Sequence, residues 1–189
     1  MNTPRDRIIQ ATGRLLELQG YHATGLNQII EESGSPKGSL YHYFPGGKEE
    51  LAAESVRRVG RAVLERIKEN LAAIDDPAES VEAFINAIAF DMEQSGFRAG
   101  GPITTVALET ASSSERLRRE CHNIYARWQL AFADKLVSGG VEEKRARRLA
   151  QVIVASIEGG IILCRTERSR TPLETVAGAM AELIRCCAT

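Results

Sequence analysis

The sequence predicts an all-α protein of about nine helices with a helix-turn-helix unit near its N-terminal end. Three observations predict it. Apolar residues recur at helical spacing in segment after segment. No run alternates as a half-buried strand would. Ser, Thr, Asp, Pro and Gly stand where helices start and stop. Of the 189 residues, 43% are apolar and 26% charged, enough for a sizeable core and too apolar for a disordered chain. Lys and Arg number 24 against 25 Asp and Glu, a net charge of -1. No global field then steers nucleic acid, and any DNA contact must come from a local patch. No apolar run approaches the roughly 18 residues of a membrane span. The start, Met1 to Arg7, lacks the apolar stretch of a signal peptide. A membrane is therefore not an expected partner, and the cytoplasm is the expected location.

The elements follow in order. Thr3 caps a first helix, Pro4 fits its first position and Gly20 its stop. Ile8, Ala11, Leu15 and Leu18 form its stripe. Thr24 or Gly25 opens a short helix carrying Leu26, Ile29 and Ile30, which ends near Ser33-Gly34. Ser35 caps a second short helix with Pro36 at its first position and Leu40 and Phe44 inward; Pro45-Gly46-Gly47 stops it. A long helix runs from Gly47 to Ile74 with Leu51, Ser55, Val59, Val63, Ile67 and Leu71 on one face. Asp76 caps the next, whose Val81, Phe84, Ile85, Ile88, Ala89 and Met92 are amphipathic. A glycine-rich break from Ser95 to Pro102 precedes a short helix, Ile103 to Glu109. Ser112 to Ser114 cap a helix bearing Leu117, Cys121, Ile124, Trp128 and Ala131, which Ser138-Gly139-Gly140 end. Glu142 to Cys164 is helical, Arg165 to Arg170 a basic loop, and Thr171-Pro172 open the last helix.

The chemistry concentrates in Ser33 to Lys48, SGSPKGSLYHYFPGGK, which holds two lysines, a histidine, two tyrosines, three serines and no acid. Major-groove reading needs such a surface: Lys and backbone N–H groups meet phosphates, while Ser, Lys and His reach base edges. Gly38 and Ser39 let the backbone approach closely. The start of the long helix at Gly47-Lys48 offers N–H groups and a positive dipole end to a phosphate.

Gly25 to Leu51 resembles the DNA-binding domain of TetR-family transcriptional regulators, through Ile29, Glu31-Glu32-Ser33-Gly34, Lys37-Gly38-Ser39-Leu40-Tyr41-His42-Tyr43-Phe44 and Lys48-Glu49-Glu50-Leu51. PKGSLYHYFPGGKEEL, and Gly101-Pro102 followed by Ala107-Leu108-Glu109, resemble the LmrA/YxaF-like branch. The sequence departs from the wider family at Ser35-Pro36, at Tyr43 and in the spacing between Phe44 and Lys48. The resemblance implies a DNA-binding domain over residues 1–46 and a ligand-binding and dimerisation domain over 47–189. It implies DNA contacts by Ser35, Pro36, Lys37, Gly38, Ser39, Tyr41, His42 and Lys48. It implies a homodimer built by the last two helices, where Ala155, Ser156, Gly159, Gly160, Ala177, Met180 and Ala181 supply small or flexible packing groups. It places Phe84, Ile88, Met92, Phe97, Ile103, Tyr125, Trp128 and Phe132 on helices that enclose a small apolar or aromatic effector. The expected function is a ligand-responsive repressor of a near-palindromic operator, with no cofactor, no metal and no enzymatic activity.

A second reading is a helical small-molecule carrier or a thiol-dependent enzyme with a vestigial helix-turn-helix. Cys121 motivates it. Against it, Cys121 and His122 are sequence neighbours on a helix and diverge by about 100°. The sequence carries no GxSxG, P-loop or HExxH motif, and Cys121, Cys164, Cys186 and Cys187 form no CxxC pair and read as free thiols.

Overall fold

The computed structural model describes residues 3–98 and 100–187. Among these it contains nine helices and no strand: α1 (Pro4–Ala23), α2 (Leu26–Ser33), α3 (Lys37–Tyr43), α4 (Gly47–Ala73), α5 (Pro77–Gln94), α6 (Thr104–Thr110), α7 (Glu115–Ser138), α8 (Glu143–Glu167) and α9 (Thr171–Arg185). The all-α expectation holds, and several of the punctuating residues act as read; Gly20 does not stop α1, because the helix resumes after a kink there and runs to Ala23, and Thr171 lies inside α9, whose cap position is Arg170. The Thr3 hydroxyl accepts the Asp6 N–H at 3.1 Å, while the Asp6 carboxylate reaches back to the Thr3 N–H at 3.3 Å, a reciprocal capping box. Asp76 accepts from Glu79 N–H at 2.8 Å, and Ser114 from Leu117 N–H at 3.1 Å.

The chain divides into two compact units. The first comprises Met1–Ala62 and Gly101–Ile124. It is thus larger than the 1–46 segment, taking in the first part of α4, all of α6 and the start of α7. Its core gathers Ile8, Ile9, Leu15, Ile29, Leu40, Phe44 and Leu51. Leu40 and Phe44 are inward because they are the apolar positions one turn apart on the short helix and its cap. Phe44→Ala should cost roughly 3–5 kcal/mol of stability, measured by urea denaturation followed by circular dichroism.

The second unit comprises Val63–Gly100 and Tyr125–Thr189. Here α5 packs against α9 and α8, and α8 against α9, around Val81, Phe84, Ile85, Met92, Phe132, Ile153, Ile161 and Leu173. By length and composition alone α8 would pass for a membrane span, with a window of mean hydropathy 1.5 of which 44% is buried in the protein. Its inward face is the core of this unit, which accounts for part of that hydropathy. The helix also runs past the expected end at Cys164 to Glu167, where Arg168 turns the chain in the left-handed region (φ 50°).

Candidate nucleic-acid interface

Three helices of the first unit build the candidate interface. α2 ends at Gly34, whose φ of 57° and ψ of 29° place it in the left-handed region that glycine enters without steric penalty. That turn redirects the chain into α3. The Ser33 carbonyl is the anchor of the turn: Arg7 Nε of α1 donates to it at 3.3 Å and the Ser35 hydroxyl at 3.4 Å. Arg7 was not among the expected functional residues, because a clamp 26 residues away leaves no local signal in the sequence. Ser35 therefore differs from expectation. It does not cap α3 (the cap position is Pro36, without a side-chain bond), and it is 5% exposed with its hydroxyl turned inward.

The outward face of α3 carries Pro36, Lys37, Gly38, Tyr41 and His42, all exposed, with Ser39 half-buried beside them. Tyr43 is exposed too, its ring edge-on to His42 at 5.1 Å. This face, like the whole Ser33–Lys48 stretch, has no acid. At the start of α4 the Gly46 N–H already donates to the Glu50 carboxylate at 2.7 Å, so an acidic group of the protein occupies one donor of the expected phosphate seat. Lys48 is half-buried, its Nζ 4.4 Å over the Tyr21 ring and 3.5 Å from the His22 carbonyl, to which it donates. Burial pushes the Lys48 ammonium below its usual range, and the Glu109 carboxylate opposes that shift.

The expected effector residues are dispersed. Phe84 and Phe132 pack edge to face at 5.7 Å, and Tyr125 and Trp128 at 5.3 Å. Phe84, Met92, Trp128 and Phe132 are buried core, while Ile88, Phe97 and Tyr125 are half-buried. Ile103 is buried in the first unit, not the second. A groove of about 520 Å³ in the second unit is lined by Tyr125, Gln129, Gln151, Val152, Val154, Ala155 and Glu158. Of the expected set only Tyr125 lines it.

The small residues of α8 and α9 split into two groups. Gly160, Ala177 and Ala181 are buried, and a Cβ at Gly160 would stand 2.7 Å from Leu173 Cδ2, where α8 packs on α9. Ala155 and Gly159 are exposed, and Ser156 and Met180 half-buried. With Val152, Ile162 and Leu163, which are 44%, 45% and 51% exposed, Ala155 and Gly159 form one outward apolar stripe on α8.

All four cysteines are free: Cys121, Cys164 and Cys187 are buried and Cys186 is exposed. Burial pushes the Cys121 thiol up to about 11, so at neutral pH almost none of it is the nucleophilic thiolate. A thiol reagent at pH 7 should therefore label Cys186 quickly and Cys121 only after unfolding, as read by mass spectrometry of labelled peptides.

A glycine turn that delivers an acid-free, outward helix, braced from behind by α1, is a helix-turn-helix of the DNA-binding class. Comparison with known proteins carries this to a family. Residues 8–54 match "Bacterial regulatory proteins, tetR family", and residues 77–179 match "Transcriptional regulator LmrA/YxaF-like, C-terminal domain". The chain is 44% identical over 181 residues to the HTH-type transcriptional regulator YxaF of Bacillus subtilis strain 168, covering 96% of this chain and 95% of that protein. To the HTH-type transcriptional regulator LmrA of the same organism it is 41% identical over 181 residues, covering 96% of each. Among solved structures it resembles the reduced form of NemR from E. coli (TM-score 0.83, 21% identity, covering 94% of this chain and 95% of that one). It also resembles a TetR transcriptional regulator from Chloroflexus aurantiacus (TM-score 0.82, 26% identity, covering 96% and 94%). The chain belongs to the TetR family of helix-turn-helix transcriptional regulators, on its LmrA/YxaF-like branch.

Proposed function

We propose that the protein is a repressor that holds a near-palindromic operator as a homodimer and releases it when a small apolar or aromatic effector binds. The observation that carries this is the outward face of α3, where Pro36, Lys37, Gly38, Tyr41 and His42 stand together without an acid. In this reading residues 1–46 are the DNA-reading head, and residues 47–189 serve ligand binding and dimerisation. Lys37 meets a phosphate or guanine edge, Gly38 and Ser39 admit the backbone to the groove, and Tyr41, His42 and Lys48 reach the sugar–phosphate backbone. Ser35 contributes through the turn that its inward hydroxyl closes rather than by a DNA contact of its own.

Two heads read half-sites about 34 Å apart, which requires two-fold symmetry. The apolar stripe of α8 supports that pairing, since it is the kind of surface a soluble protein covers. The edge-packed Tyr125–Trp128 pair, whose Tyr125 lines the groove, supports an apolar or aromatic effector. Such a molecule releases DNA only by binding more tightly to an arrangement in which the heads no longer match the operator. A buried Cys121 with its thiol held protonated argues against a thiol-dependent enzyme, and a cytoplasmic regulator without enzymatic activity fits the family.

The test is a titration of the DNA upstream of the protein's own gene at rising salt. Affinity should fall steeply with salt as counterions are released, and Lys37→Ala should weaken binding by about tenfold, the effect of one charge-assisted contact. Salt-independent binding, or equal affinity of Lys37→Ala and the parent, would refute the reading.

A further inference from the structure

We propose that Glu109 of α6 is a positioning residue for DNA binding: its carboxylate caps the corner where α1 breaks and so fixes the surface from which Lys48 reaches the DNA. This rests on the reading of Lys48 as a phosphate contact. All the groups involved lie in the first unit, where α6 packs along α1.

The corner is set by Gly20, whose φ of 80° and ψ of -178° interrupt the helix three residues before its end. A break frees N–H groups from their helical acceptors, and each needs a new one. The Glu109 carboxylate supplies it for His22, accepting the His22 N–H at 2.8 Å. The Glu109 carbonyl lies 3.4 Å from the His22 imidazole Nε2. The Gly20 carbonyl, freed on the other side, takes the Thr24 hydroxyl at 2.7 Å. The fit is close: a Cβ at position 20 would fall on the Glu109 carboxylate and stand 3.0 Å from Thr105 Cγ2. Residue 20 must therefore lack a side chain for Glu109 to reach in.

Lys48 is carried by the same corner. It lies over the Tyr21 ring and donates to the His22 carbonyl, groups of the two residues on either side of the peptide whose N–H Glu109 holds. The Glu109 charge also favours the ammonium form that burial disfavours. A carboxylate on α6 thus holds the corner on which a cation at the edge of the reading head rests.

The experiment is fluorescence anisotropy with a duplex from the protein's own upstream region, between about 50 and 300 mM KCl. The slope of log affinity against log salt counts phosphate contacts, at about 0.9 per contact per protomer. Lys48→Met should lower it by that amount. Glu109→Ala should lower it equally, and the double variant should match Lys48→Met alone. Glu109→Gln, whose amide oxygen still accepts the His22 N–H, should keep the parent slope. A purely structural role would lower the thermal midpoint and leave the slope untouched. If Glu109→Ala is poorly folded, Glu109→Asp, which withdraws the acceptor by one methylene, serves in its place with the same expectation. A reduced slope for Lys48→Met with the parent slope for the Glu109 variants overturns the role of Glu109 alone. A parent slope for Lys48→Met removes the phosphate contact and this proposal with it.

Discussion

Replacing Gly38 by glutamate should abolish operator binding and leave the folded protein intact. A Cβ at position 38 meets nothing within 4 Å, so a side chain there finds room in the free protein. Glycine inside a helix costs about 1 kcal/mol relative to a good helix former, so the variant should melt no lower than the parent. An acid near a helix N-terminus is also favourable, by roughly 0.3–1 kcal/mol. On DNA the balance reverses. The new carboxylate would stand on a stretch that otherwise carries no acid, facing phosphates, and its bulk would lift the helix from the base edges. Losing the readout of one close contact costs about 1–3 kcal/mol, and the repulsion adds to it, so affinity should fall by roughly a hundredfold or more. Gly38→Ala separates the two effects: the same gain in helix propensity, no charge, and a smaller loss. Thermal melting and anisotropy on the same samples check the prediction. A Gly38→Glu protein that binds like the parent would mean that α3 does not enter the groove.

The outward face of α3 was legible because helical periodicity fixes which side is inward once Leu40 and Phe44 are recognised as core. The helix starts at Thr3, Asp76 and Ser114 were legible for a similar reason, since each caps its own first turn. What escaped the sequence is what distant partners decide. Gly20 reads as a stop, yet helical geometry resumes after it, because Glu109, 87 residues beyond His22, supplies the acceptor that the break removes. Ser35 reads as a cap, yet the Ser33 carbonyl draws its hydroxyl inward. Ile88 and Tyr125 share helical spacings with Phe84, Met92 and Trp128, and only tertiary packing separates these half-open positions from filled core, while Phe97 lies past the end of α5 at φ 60°, off the helix expected to carry it.

The neighbouring glycines of α8 make the same point and give the second large effect. Gly160 faces α9, where an added Cβ would meet Leu173 at 2.7 Å and Val176 at 3.6 Å. Leu173 is fully buried and has little room to yield. Gly160→Val should therefore cost roughly 1–3 kcal/mol through overpacking, a drop of several degrees in melting temperature. Gly159, one residue earlier and about 100° around the helix, has nothing within 4 Å and lies in the stripe of Val152, Ala155, Ile162 and Leu163. Gly159→Trp should leave the chain folded but block the close approach of a second copy. Light scattering should then report a monomer at concentrations where the parent is a dimer. A single head keeps half of the base contacts, so operator affinity should fall by about a thousandfold, toward the non-specific level. The two variants thus separate the faces of one helix: Gly160→Val lowers stability more than assembly, and Gly159→Trp lowers assembly and DNA binding with stability spared. A dimeric Gly159→Trp protein with parental operator affinity would place the subunit contact away from the α8 stripe.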